Sequence, residues 1–114
     1  MTHRALQAAA RLGQEGIEAE IVDLLTLSPL DIDTVVESAK NTGRVIVIEE
    51  GPKTGGFAAE VAAQIMESAH DYLEKPVRRI ASPDFPVPSA KNLEAACLPT
   101  AADIAALARE LVET

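Results

Sequence analysis

Two adjacent carboxylates, Glu49 and Glu50, stand just ahead of Gly51-Pro52, and Thr54-Gly55-Gly56 follows at the head of an apolar-periodic segment. A pair of carboxylates is ordinary equipment for general acid and base work. Successive residues at the end of a strand point to opposite sides, however, and do not share one substrate. A subunit contact or a salt bridge suits Glu49 and Glu50 better. Thr54, Gly55 and Gly56 at a helix start could offer backbone N–H groups to an anion such as a diphosphate or a nucleotide. The first turn of a helix leaves donors unpaired and carries partial positive charge. The plainer reading is a tight turn that needs glycine for its backbone angles and for close packing. Glu49 and Glu50 just before the turn would repel a phosphate, and no Gly-Lys-Ser follows, so the stretch is not a P-loop.

The other reactive side chains are scattered. Asp23, at the end of its own apolar run, could form a small acidic rim with Glu49, against the plainer reading of a solvated loop carboxylate. His3 and His70 lie far apart and show no metal-ligand spacing. His70 falls near a helix C-terminus, where the dipole favours a cation. Cys97 has no neighbouring His or Lys in sequence to activate it and reads as a small core residue. Arg78 and Arg79 sit side by side on a strand and face opposite ways, one of them toward a carboxylate beneath a helix. The loop Ser82-Pro83-Asp84-Phe85-Pro86 is stiffened by proline and presents a charge and an aromatic ring at little entropic cost. Asp84 and Phe85 are therefore candidate partner contacts, alongside Glu49 and Glu50. No catalytic, metal-binding or cofactor-binding residue is assigned.

At 114 residues the chain is read as one domain, spanning 1–114, with a single core. Only 3% of residues are aromatic, so that core must be built from Ala, Val, Leu and Ile. A net charge of −8 argues against nucleic acid or an anionic membrane as partner and in favour of a basic protein. One cysteine forms no internal disulfide, which fits a reducing compartment. No apolar run approaches the roughly 18 residues of a membrane span, and the chain leads straight into a helix rather than a signal peptide.

The elements that must position these groups alternate. A helix runs from Thr2, a plausible N-cap, to Gly16, with Ala5, Ala8, Ala9 and Leu12 on one face. Residues 17–23 alternate Ile17, Ala19 and Ile21 against Glu18, Glu20 and Val22, the period of a strand. After a connector over 24–30, Asp31 or Asp33 caps a helix with Ile32, Val35, Val36 and Ala39 inward, ended by Asn41-Thr42-Gly43. Val45, Ile46, Val47 and Ile48 form an apolar run suited to a strand covered on both sides. A helix with Phe57, Ala58, Val61, Ala62, Ile65, Met66 and Ala69 on its stripe follows, then a strand over 77–81. Residues 82–88 hold Pro83, Pro86 and Pro88 and are extended, and a helical turn is expected over 93–98. Thr100 caps a last helix, with Asp103 completing a capping box and Ile104, Leu107, Ala108 and Leu111 inward. This order predicts an α/β three-layer sandwich with a mostly parallel open sheet. Three strands are few, and the helical start points to a first strand missing ahead of Met1. Its absence would leave an apolar edge through which the chain dimerises or swaps.

The run VIVIEEGPKTGGFAAEVAAQI, then DYLEKPVRRIASPDFPVP, and the opening THRALQAAARLGQEGIEAEIVDLLTLSPLD resemble the C-terminal domain of the beta subunit of thiamine-diphosphate-dependent 2-oxo-acid dehydrogenases of the pyruvate and acetoin type, a domain of transketolase C-terminal form. The resemblance covers essentially the whole chain, which lacks the strand and the pyrimidine-binding domain that precede this region in the family. It implies an assembly and docking domain, inactive in isolation, in contact with an alpha subunit, a second beta subunit and the basic binding domain of the acyltransferase core. Thiamine diphosphate and magnesium would belong to the parent enzyme and not to this chain. Glu110, Glu113 and the terminal carboxylate of Thr114 would steer a basic partner. The implied compartment is the cytoplasm, or the mitochondrial matrix of a eukaryote. The alternative is a stand-alone regulatory module that binds an anion or nucleotide at Thr54-Gly55-Gly56. An enzyme built on Asp23 and Glu49 ranks last, since no nucleophile and base pair is found.

Overall fold

A computed structural model describes residues 2–23, 31–52, 57–82 and 99–113. Their elements are α1 (Thr2–Gln14), α2 (Ile32–Thr42), β1 (Ile46–Pro52), α3 (Phe57–Ala69), a single 3-10 turn (His70–Tyr72), β2 (Arg78–Ser82) and α4 (Ala101–Glu113). β1 and β2 pair in parallel, with Ile46 opposite Arg78, Val47 opposite Arg79 and Ile48 opposite Ile80.

Side chains leave this ladder alternately. Val45, Val47 and Val77 pack on a cluster of Val35, Ala39, Val61, Ile65 and Ala69, supplied by α2 and α3. Ile48 and Ile80 pack on the opposite cluster of Ala8, Leu12, Ala101, Ile104 and Ala105, supplied by α1 and α4. Helices therefore cover both faces of a parallel sheet, the layering expected of an apolar run without a polar side. The α1 helix and α4 lie side by side in the same sense. Arg4 in the first turn of α1 donates to the carbonyl of Pro99 ahead of α4, while Glu15 just past α1 pairs with Arg109 near the end of α4.

The helix ends follow the sequence closely. Gly16 adopts φ +80°. Its N–H donates to the carbonyl of Gly13 at 3.2 Å and that of Ile17 donates to the carbonyl of Leu12 at 2.9 Å, the paired bonds of a Schellman stop. Ile17 and Leu12 also share one core cluster, which is the apolar contact that accompanies this motif. Asp31 caps α2, accepting from Thr34 through both its backbone N–H at 3.3 Å and its hydroxyl at 2.8 Å. Thr100 and Asp103 form the reciprocal box at the head of α4, with Asp103 N–H to Thr100 Oγ1 at 3.1 Å and Thr100 N–H to Asp103 Oδ2 at 3.0 Å.

Two expectations change. Residues 17–23 are irregular, and the described sheet has two strands. Their apolar groups divide as a strand's would, Ile17 to the α1 side and Val22 to the α2 side. A strand also needs a hydrogen-bonded neighbour, and no ladder reaches this segment among the described residues. The buried stripe of α4 is likewise turned toward Ala101 and Ala105, which leaves Leu107 and Ala108 half-buried. The expected connector over 24–30, most of the proline loop and the helical turn over 93–98 lie outside the described residues.

Two glycines give a paired prediction. Gly43, at φ +73°, ends α2, and an added Cβ would stand 3.3 Å from Glu74 Cγ and 3.4 Å from the Tyr72 carbonyl oxygen. Gly13 lies inside α1 with nothing within 4 Å of an added Cβ. In urea denaturation Gly43→Ala is expected to lose about 1–2 kcal/mol, and Gly13→Ala to gain about 0.5–1 kcal/mol.

Candidate functional site

In an open α/β sheet the carboxyl ends of the strands are where ligands and partners meet the fold. Here that end is irregular. Between the Ile48–Ile80 and Pro52–Ser82 pairs the register shifts, so that Glu49, Glu50 and Gly51 stand against Ala81. Bulges of this kind interrupt pairing and increase local twist. Glu49 continues the face of Val45 and Val47 and so points to the side where α3 begins. Its Oε1 accepts the backbone N–H of Ala58 at 3.1 Å. The carboxylate thus satisfies one unpaired donor of the first turn and places negative charge against the positive end of the helix. That charge is unfavourable to a second anion close by.

The other candidates are dispersed. Asp23 ends the irregular segment and is exposed, so the strand end on which an acidic rim depended is not formed. His3 is exposed in α1 with Gln7 Nε2 at 3.4 Å from its Nε2, and His70 opens the exposed 3-10 turn after α3. Arg78 meets Glu110 of α4 at 3.4 Å, the strand-to-helix pairing anticipated for one of the two adjacent arginines. Lys40 Nζ lies 4.8 Å from the centre of the Tyr72 ring, within the range of a cation–π contact. Thr54, Gly55, Gly56, Asp84, Phe85 and Cys97 lie outside the described residues, as does the side chain of Glu50. Among the described residues no group of three His, Cys, Asp or Glu converges as metal ligands would.

Sequence reasoning missed Arg44 and the Glu15–Arg109 pair. Arg44 sits between the end of α2 and the start of β1. Its Nε–H donates to the carbonyl of Leu111 at 3.0 Å, and its Nη2 lies 2.7 Å from Glu74 Oε2. Arg109 grips Glu15 at two points, Nε to Oε1 at 2.8 Å and Nη2 to Oε2 at 2.7 Å. These hydrogen bonds hold the Glu15 carboxyl below its ordinary value of 4.5, and they raise the Arg109 guanidinium above its own. A separation of 94 residues between partners leaves no local pattern to read.

The model of the family described as "Transketolase, C-terminal domain" matches residues 1–104. The chain belongs to the transketolase C-terminal domain family. Within it, the domain resembles that of beta subunits from dehydrogenases of pyruvate and acetoin type. It is 49% identical over 113 residues to the beta subunit of the acetoin:2,6-dichlorophenolindophenol oxidoreductase of Cupriavidus necator, a match that takes in 99% of this chain and 33% of that protein. It is 46% identical to the pyruvate dehydrogenase E1 component subunit beta of Bacillus subtilis, across 99% of this chain and 34% of that one. The mitochondrial counterpart of Dictyostelium discoideum is 40% identical over 108 residues, 95% of this chain and 30% of its own length. A solved structure of a split-gene transketolase, described as an inactive beta4 tetramer, superposes with a TM-score of 0.75 at 32% identity, over 97% of this chain and 36% of that one. The transketolase C-terminal domain seen here spans about a third of the length of the curated relatives it matches.

Two outcomes are expected. Glu49→Ala removes the cap on Ala58 and should cost about 0.5–2 kcal/mol in chemical denaturation, while Glu49→Gln, which keeps an acceptor oxygen, should cost less. Glu15 has a lowered folded-state pKa, so its contribution is present above the ordinary carboxylate value of 4.5 and is lost as pH falls through the lower folded value. Stability followed from neutral pH into that acid range should therefore fall less steeply in Arg109→Ala than in the parent chain.

Proposed function

We propose that this domain is a subunit-assembly and partner-docking part of the decarboxylating dehydrogenase component of a 2-oxo-acid dehydrogenase complex, of pyruvate type, and that it does no catalysis alone. The observation that carries this reading is the match of nearly the whole chain to about a third of proteins named as beta subunits of pyruvate dehydrogenase and of acetoin oxidoreductase. The partners in this reading are an alpha subunit, a second beta subunit and the basic binding domain of the acyltransferase core. The domain self-associates as a homodimer or higher oligomer. Asp84, Phe85 and Glu50 contribute contact surface. Glu49 contributes less directly, since its carboxylate already serves the first turn of α3.

Thiamine diphosphate with magnesium belongs to the parent enzyme in this reading. The described residues do not fit it. A magnesium diphosphate needs converging oxygen donors for the metal and free N–H or cationic groups for the phosphates. The described carboxylate at the end of β1 instead faces the first turn of α3 and accepts from it, and no triad of metal-ligating side chains converges among the described residues. No reaction step is therefore routed through the described residues. No helix among the described residues is long and apolar enough to cross a membrane. The relatives include bacterial and mitochondrial proteins, and the compartment proposed is the cytoplasm or the mitochondrial matrix.

Surface plasmon resonance between the chain and the basic binding domain of a pyruvate-type acyltransferase tests the docking role. Binding is expected, with affinity falling roughly tenfold or more as salt rises from about 0.05 to 0.5 M. An absence of binding at the lower salt would remove the docking assignment.

A further inference from the structure

Three consecutive residues of α4 are tied to three different parts of the fold. Arg109 holds Glu15, past the end of α1, through two parallel contacts. Glu110 meets Arg78 of β2 at 3.4 Å. The Leu111 carbonyl accepts from Arg44 ahead of β1, and the same guanidinium reaches Glu74 ahead of β2. At the other end Arg4 of α1 donates to the carbonyl of Pro99, one residue before the Thr100 cap. Contacts to Arg4, Glu15, Arg44 and Arg78 thus meet one helix and its lead-in. Arg44 and Arg4 each spend a cation on a backbone carbonyl, and at Leu111 that carbonyl belongs to the negative end of the helix, where a cation is favoured.

The apolar seam beneath α4 is thin by comparison. Its buried members are Ala101, Ile104 and Ala105 of α4 with Ala8 and Leu12 of α1, joined by the partly buried Ile17, Ile48, Ile80 and Ala108. Three of the five buried members are alanines, each bringing one methyl group. On the other face eight partly buried apolar side chains join the buried cluster, against four here, and only two of its five buried members are alanines. Apolar packing is insensitive to moderate salt, whereas partly exposed ion pairs are screened by it. Regions with fewer buried apolar contacts open locally before the rest of a fold.

We infer that α4 is a latched helix: ionic tethers clustered at Arg109, Glu110 and Leu111 hold it in place, and it opens as a unit while the β1, α2 and α3 side stays closed. The latch acts at the end of the helix far from the Thr100–Asp103 box, so the opened helix keeps its capped first turn. This is a property of the fold and does not rest on the docking role proposed above.

Residue-resolved amide hydrogen exchange on the 114-residue chain, at low salt and in about 0.5 M sodium chloride, tests the inference. The amides of Ala105, Ala108 and Leu111 are expected to exchange faster by about two- to fivefold for each ion pair screened. The amides of Ile48 and Ile65 should change by less than about twofold. Arg109→Ala should reproduce the salt effect at low salt, and the exchanged pair Glu15→Arg with Arg109→Glu should restore protection. The inference is overturned if α4 amides keep the protection of Ile65 at both salts. It is equally overturned if α4 and α3 lose protection together, or if the exchanged pair behaves like Arg109→Ala.

Discussion

The parallel ladder between β1 and β2 carries helices on both sides, so its apolar side chains are divided between two layers. That constraint organises the domain. Val45, Val47 and Val77 commit one face to α2 and α3, and Ile48 and Ile80 commit the other to α1 and α4. Along β1 the first carboxylate, Glu49, appears where the regular pairing ends, while on β2 Arg78 reaches out to Glu110 of α4. The scarcity of aromatic residues follows from the same geometry. Alanine-rich helices approach a narrow sheet closely, and Ala8, Ala39, Ala58, Ala69 and Ala105 are all nearly inaccessible.

At the edge of the sheet where chemistry would be sought, the one described carboxylate side chain serves the fold. Glu49 terminates β1 and stabilises the entry of α3 with one hydrogen bond, coupling the bulge to the helix dipole. Three ion pairs elsewhere cross element boundaries: Arg44 with Glu74, Arg78 with Glu110, Arg109 with Glu15. Each pair is exposed enough to contribute little alone, but together they fix how the outer helices lie on the sheet.

The sequence was most legible where the cause of structure is local. The Schellman stop at Gly16, the Asp31 cap, the Gly43 stop and the Thr100–Asp103 box each depend on a few neighbouring residues, and their positions follow from residue type. The two-sided packing of β1 was also readable, because a run of β-branched residues without a polar face suits a strand between two layers. The strand over 17–23 was misread because alternation reports which way side chains point and says nothing of whether a neighbour pairs with the backbone. The rotation of α4 toward Ala101 and Ala105 was missed because alanine carries a weak hydrophobic signal while fitting a close helix contact well. The arginine tethers could not be read at all, since each joins residues distant in sequence and depends on the finished topology. Of the proposed site, the direction taken by Glu49 follows from strand period. Its partner, the N–H of Ala58, emerged only with the fold.

The central proposal is that the domain supplies surfaces to other subunits and does no thiamine chemistry alone. Calorimetric titration of the purified chain with thiamine diphosphate and magnesium, followed by an assay for 2-oxo-acid decarboxylation, addresses it most directly. The account predicts only heats of dilution and no turnover. Saturable binding in the micromolar range, or release of carbon dioxide by the chain alone, would contradict it.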